Sequence, residues 1–228
     1  MSGTAIRVGL LDSGVGAALL PRMAASSAFR LDEDGQVQTV EVMPDAILHG
    51  DPVAQILLSA APAIALYNAQ VFTQTNSTHP ATIAAGLDWL LAQDVAIVNM
   101  SFGLRQNRAV LRQACATAIA AGLILVAAAP ARGQAVYPSA YPGVLRVTGD
   151  ARCALQEFSH LASEQADFGA CPRSYAQPQH GAPVGGASFA VPHVSAALAR
   201  YLAAGGKASD YYQHLTELAV YHGPERRR

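Results

Sequence analysis

The sequence predicts an α/β fold in which a mostly parallel central sheet carries helices on both faces. Runs rich in Val, Ile and Leu have strand length and read as strands buried on both sides. They alternate with helix-length amphipathic segments, the pattern of a parallel sheet wound with helices. A chain of 228 residues, 51% hydrophobic and 14% charged, can bury one sizeable core but is short for two. Residues 1–228 therefore read as a single domain.

The expected strands are IRVGLLD (6–12), IALYNAQVF (64–72), VAIVNMSF (95–102), LILVAAA (123–129) and VLRVTGD (144–150). Helices are expected over 14–26, 50–60, 79–93, 106–121, 188–204 and 209–220, and the Pro- and Gly-rich piece 170–187 reads as a long connection. Ligands gather at the carboxyl ends of strands in open parallel sheets. Asp12, Asn99, Ser101 and the segment from Ala127 to Gly133 fall there.

Composition excludes several functions. Fifteen basic and sixteen acidic side chains leave a formal charge of −1, and the only basic block is the terminal ERRR, so no nucleic-acid footprint exists. No apolar run approaches the roughly 18 residues of a spanning helix, and the N-terminus lacks the pattern of a secretory signal. A cytoplasmic protein is expected, without membrane partners. Three cysteines, odd in number and without Cys-x-x-Cys spacing, read as reduced, small buried thiols. No metal site and no cofactor follow from them.

Three residues carry a possible chemistry: Asp12 in LLDSGVG, His49 in ILHGDPVAQIL and Ser188 in GGASFAVPHV. A serine hydroxyl attacks only when a base takes its proton, and a buried carboxylate can hold that base in one tautomer. Singly, each residue has a plainer role: Asp-Ser-Gly is a common turn, His-Gly before a helix is usually structural, and Ser188 would serve as a helix N-cap. The order Asp, His, Ser differs from that of chymotrypsin and of the α/β-hydrolases, and GASFA is not a Gly-x-Ser-x-Gly elbow.

Over about residues 6–204 the chain resembles the subtilisin (subtilase) family of serine proteases. The family's strand followed by Asp-Ser/Thr-Gly stands as VGLLDSGV, and its His-Gly-Thr-His-Val-Ala-Gly as HGDPVAQ (49–55). Its Asn-Met-Ser-Leu-Gly stands as NMSFG (99–103), and its Gly-Thr-Ser-Met-Ala-Ser-Pro-His-Val as GASFAVPHV (186–194). YPSAYPGVLRVTGD (137–150) is similar to a Tyr-Pro segment of the family. The resemblance implies a subtilisin-like three-layer fold, with Ser188 as nucleophile, His49 as general base and Asp12 as its orienting carboxylate. Ser101, Phe102 and Gly103 would form an edge that pairs with a peptide, facing a second edge at 73–78. Ala128, Pro130, Ala131 and Arg132 would line the rest of the substrate site. Pro192 would lie about one turn into the serine helix, where a missing N–H costs little.

Departures from the family pattern narrow the expectation. The family's Gly-Asn after the fourth long strand is Pro130-Ala131 here, so the asparagine that donates to the oxyanion is missing; in subtilisin itself that loss costs about 10²–10³ in rate. The threonine before the serine is Ala187. Arg132 falls at a specificity-pocket rim, favouring an acidic or polar residue before the cleaved bond. The calcium loop is shortened, so no calcium dependence is expected, and no pro-segment precedes the first strand. A slow processing protease that removes a leader peptide from a specific precursor fits these features. The alternative is a pseudoprotease that binds peptides without cutting them.

Overall fold

The computed structural model describes residues 5–174 and 185–225. Part of the expected connection, 175–184, lies outside the described residues. The strands are β1 (Arg7–Asp12), β2 (Ala25–Leu31), β3 (Val37–Val40), β4 (Ala65–Gln70), β5 (Ile97–Met100), β6 (Ile124–Ala128), β7 (Leu145–Gly149), β8 (Phe158–His160), β9 (Phe168–Ala170) and β10 (Tyr221–His222). Among the described residues they form one sheet in the order β10-β8-β9-β7-β6-β5-β1-β4-β2-β3. All neighbours run parallel except β2 with β3 and β8 with β9. Among the described residues the α-helices α1 (Gly50–Ala60), α2 (Pro80–Ala92), α3 (Ala109–Ala120), α4 (Ala187–Ala203) and α5 (Tyr211–Leu218) accompany them.

The central strands alternate between two cores, one on each face. Val8, Leu10, Ile97 and Val126 pack with α1 and α4, whereas Leu11, Val98, Met100 and Leu125 pack with α2 and α3. This two-sided burial is why those strands read as unbroken apolar runs. The three-layer α/β architecture expected from the sequence is the one observed. Two glycines set how closely α2 lies on the sheet. A Cβ on Gly9 would meet Leu90 Cδ1 at 2.8 Å, and one on Gly86 would meet Val71 Cγ1 at 2.6 Å and Leu11 Cδ1 at 2.7 Å.

The expected helix over 14–26 does not form. Residues 17–19 make a turn, Leu20–Arg22 a single 3₁₀ turn, and Ala25 already begins β2. Gly14, at φ +97°, and Pro21 break a helical run that the alanines would favour, and the open edge of β4 takes Ala25–Ala28 as a parallel partner instead. A tight turn then returns the chain as β3: Asp32 Oδ1 accepts from the amides of Asp34 and Gln36, and Gly35 sits at φ +75°. The last expected helix also shortens. It ends at Leu218, Leu215 is buried against the core, and Tyr221–His222 pair with Ser159–His160 as β10.

All three cysteines are buried free thiols, and burial pushes Cys115 and Cys153 up to about 12. Among the described residues no helix is long and apolar enough to cross a membrane. Gly86→Val should lower the urea midpoint by the equivalent of about 1–3 kcal/mol with an unchanged m-value, because a branched side chain there overpacks α2 against β1. A midpoint at or above wild type contradicts the close approach.

Candidate active site

Asp12 ends β1, the strand flanked on both sides by β4 and β5, and only 1% of its surface is exposed. Its Oδ1 accepts from the Ser13 amide at 2.7 Å and lies 2.7 Å from His49 Nδ1. A carboxylate can only accept, so Nδ1 carries the proton and the neutral imidazole keeps its lone pair on Nε2. Burial alone would lower the imidazole pKa. The negative charges of Asp12 and Asp45, with the Asp12 hydrogen bond, overcome it and raise His49 above its usual 6.5.

Short contacts between two loops place the histidine. His49 stands at the N-cap of α1, and the next residue, Gly50, lies against the Gly14 carbonyl with no room for a side chain. The Gly50 amide donates to Ser13 Oγ at 2.8 Å, and the Gly16 amide to Asp51 Oδ1 at 2.6 Å. Buried Gln70 donates through Nε2 to the carbonyls of Ser13 and Met43 and accepts from the Met43 amide. Asp45, 5% exposed, accepts from the amides of Ile47, Leu48 and Asp51, each at 3.0 Å. That clasp holds Leu48 at φ +61°, a left-handed conformation that leucine adopts only when its surroundings impose it. Sequence reasoning missed Ser13, Asp45 and Gln70. Asp45 carried one usable signal, an aspartate shortly ahead of a helix start.

Ser188 is not the helix cap the sequence suggested. Gly186, at φ 152°, occupies the N-cap of α4, and Ser188 is the second helical residue. Its amide is therefore one of the first-turn N–H groups without a helical acceptor, at the positive end of the dipole. Pro192 is the sixth residue of α4, deeper than expected, and its missing N–H is the one that would have bonded the Ser188 carbonyl.

Asp12, Ser13, His49, Ser101 and Ser188 line one cleft of about 240 Å³, with Ile47, Phe72 and Phe102 as its apolar wall and Asn76 at its rim. The Phe72 and Phe102 rings meet edge-on at 5.2 Å, and the His49 ring lies 5.7 Å from Phe189. Among the described residues Ser188 Oγ has no hydrogen bond to His49. Such links often close only around a bound substrate. Behind the cleft, Ser195 Oγ donates to Asn99 Oδ1 and Asn99 Nδ2 to Ser101 Oγ, which fixes the end of β5. Gly103 lies against Val136, where a Cβ would meet Cγ2 at 2.6 Å, and Leu104 bridges to Tyr137.

The other expected substrate residues line different cavities. Pro130 faces one of about 550 Å³ with Tyr141 and Arg146, and Ala131 and Arg132 line another with Thr148, Asp150 and Glu225. Ala128 is buried in β6 beside Val147. His193 is buried in α4; burial and nearby Arg200 lower its pKa to about 4, so it stays neutral. Among the described residues no group of three His, Cys, Asp or Glu side chains could hold a metal ion.

A buried carboxylate on one imidazole nitrogen, with a serine on a helix N-terminus across the same cleft, is the arrangement of a serine hydrolase. A sequence profile of the subtilase family matches residues 3–217, and the chain belongs to that family. It is 31% identical over 156 residues to a thermostable alkaline protease of Halalkalibacterium halodurans, covering 64% of this chain and 41% of that protein. It is 27% identical over 221 residues to a subtilisin of Bacillus pumilus, covering 88% of this chain and 78% of that protein. The chain thus spans less than half of the first relative's length and about three quarters of the second's. A solved structure titled S41 Psychrophilic Protease superposes with a TM-score of 0.69 at 19% identity, covering 96% of this chain and 86% of that one, which bears on the fold.

Asp45→Asn removes one of the two charges that face His49. In NMR titrations, His49 should ionise above 6.5 in the parent protein and at lower pH in the variant. An unchanged His49 titration refutes the role of Asp45.

Proposed function

We propose that this chain is a serine endopeptidase acting on peptides by acyl transfer. The observation that carries the reading is the 2.7 Å contact of Asp12 Oδ1 with His49 Nδ1, in a cleft that also holds Ser188. Nε2 takes the Ser188 hydroxyl proton as Oγ bonds the substrate carbonyl carbon. The imidazolium then returns a proton to the departing amine, and water repeats the cycle on the acyl-enzyme. Held by Asp12, the imidazole keeps its tautomer and its charged form is stabilised. The Ser188 amide, at the start of α4, is the oxyanion donor that the chain retains.

The finer reading is slow and selective processing, the removal of a leader peptide from a specific precursor in the cytoplasm. Ala131 and Ala187 support slow turnover, since they stand where the family has an asparagine and a threonine. Three buried free thiols suit a reducing compartment. Among precursors, we favour the small cross-linked subunit of a bacterial quinohemoprotein amine dehydrogenase, on general likeness of size and plain architecture to the protease that matures it. The rival reading, a peptide-binding pseudoprotease, draws on the same two alanines and on the open link between His49 and Ser188.

A fluorophosphonate or peptidyl phosphonate probe should label wild type once, at Ser188, and Ser188→Ala should lose both labelling and peptide cleavage. No labelling of well-folded wild type would favour the binder. For cleavage, kcat/KM should rise with pH through an ionisation above 6.5, because only neutral His49 can accept the proton.

A further inference from the structure

Two chain segments flank the cleft, and both lead out of it into the same second cavity. Asn76 lies at the cleft and Thr78 at the cavity; Ser101 and Phe102 lie at the cleft and Leu104 at the cavity. An extended peptide laid between segments 73–78 and 101–103 would run from one to the other. The cavity, about 260 Å³, is lined by Thr78, Pro80, Leu104, Arg105, Gln106 and Arg108.

Its charge is uncompensated. Neither Arg105 nor Arg108 has an ion-pair partner among the described residues, and the Arg108 guanidinium donates through Nη2 to Gln106 Oε1. Arg112 follows one turn later, also exposed. Between Asp94 and Asp150 the chain contains no Asp or Glu but five arginines, of which Arg146 alone is paired, with Asp167. Arg108 is moreover the N-cap of α3, whose first turn has no acidic residue, so its charge adds to the positive end of that helix. The near-neutral whole thus hides a local positive field at the end of the substrate path.

We propose that this cavity is a binding subsite for an acidic side chain of the peptide substrate, with Arg105 and Arg108 as its charge partners. The path from Ser101 to Leu104 spans three residues. At about 3.3 Å per residue, an acidic residue about three to five positions from the cleaved bond reaches the guanidinium groups. Selectivity for a precursor then comes from charge read at a distance, while the apolar cleft accepts the residues beside the bond. The assignment rests on the peptidase reading for the direction of the path, but binding tests it without any cleavage.

The test uses Ser188→Ala protein and fluorescent peptides that differ only by Glu, Ala or Lys at positions three to five from the scissile bond, followed by anisotropy at low and high salt. The Glu peptide should bind about tenfold tighter than the Ala peptide at low salt, equivalent to about 1.4 kcal/mol, with the advantage shrinking in high salt. Adding Arg105→Glu and Arg108→Glu, both exposed positions, should remove the advantage and favour the Lys peptide, with the melting temperature as the check on folding. Equal binding of Glu and Ala peptides, or a preference that survives the double reversal, overturns the subsite. If the Glu preference holds but wild type cleaves none of the peptides, the subsite stands and the peptidase reading falls.

Discussion

The arrangement depends on one buried charge. Asp12 sits at the carboxyl end of the strand flanked by β4 and β5, nearly sealed from water, and an ionised carboxylate there is costly unless donors surround it. The Ser13 amide and His49 Nδ1 supply donors to Oδ1, whereas Oδ2, equally sealed from water, has no partner among the described residues. To bring His49 to Asp12, the loop after β1 and the loop before α1 must touch. The Gly50 contact with Gly14, the Gly16 amide on Asp51 and the Asp45 amide on the Val15 carbonyl fasten them together.

The same economy shapes the layer on that face of the sheet. α1 and α4 pack side by side over the strands, with Val53, Ile56 and Leu57 meeting Val191, Val194 and Leu198 in one core. Because His49 starts the first helix and Ser188 lies in the first turn of the second, their packing sets how far apart these two side chains stand. Phe189, next to Ser188, rests against the His49 ring and couples the two helix starts directly. The opposite layer stays close through Gly9 and Gly86.

Charge is laid out as unevenly as packing is even. The acidic side chains that matter locally, Asp12, Asp45 and Asp51, lie near the histidine; Asp45 and Asp51 hold loops, and Asp12 and Asp45 favour the imidazolium. The arginines gather along the exit from the cleft, where only Gln106 attends them. A peptide would therefore meet an apolar wall beside the reacting bond and a positive field farther along. Arg132, placed by motif at the pocket rim, instead faces a cavity shared with Asp150 and Glu225.

By itself the sequence determined much of the sheet interior and pointed to the residues that gather at the cleft. Strands β1, β4, β5, β6 and β7 lie in the sheet interior, so their mostly apolar runs are legible, and the helices α1 to α4 stand as the helix-length segments that accompany them. Asp12, His49 and Ser188 are legible because each sits in a short motif whose glycines and small residues have a local geometric reason. Tertiary structure decided the rest. Strands β2, β3, β8, β9 and β10 lie in the outer parts of the sheet, where their identity depends on the partner beside them, and at Ala25 and Ser26 that partner outweighed helix propensity. Asp45, Gln70 and Ser13 act through atoms that meet only after the loops fold together. Ser188 became the second residue of its helix rather than its cap because Gly186, in a conformation closed to other residues, took the cap position.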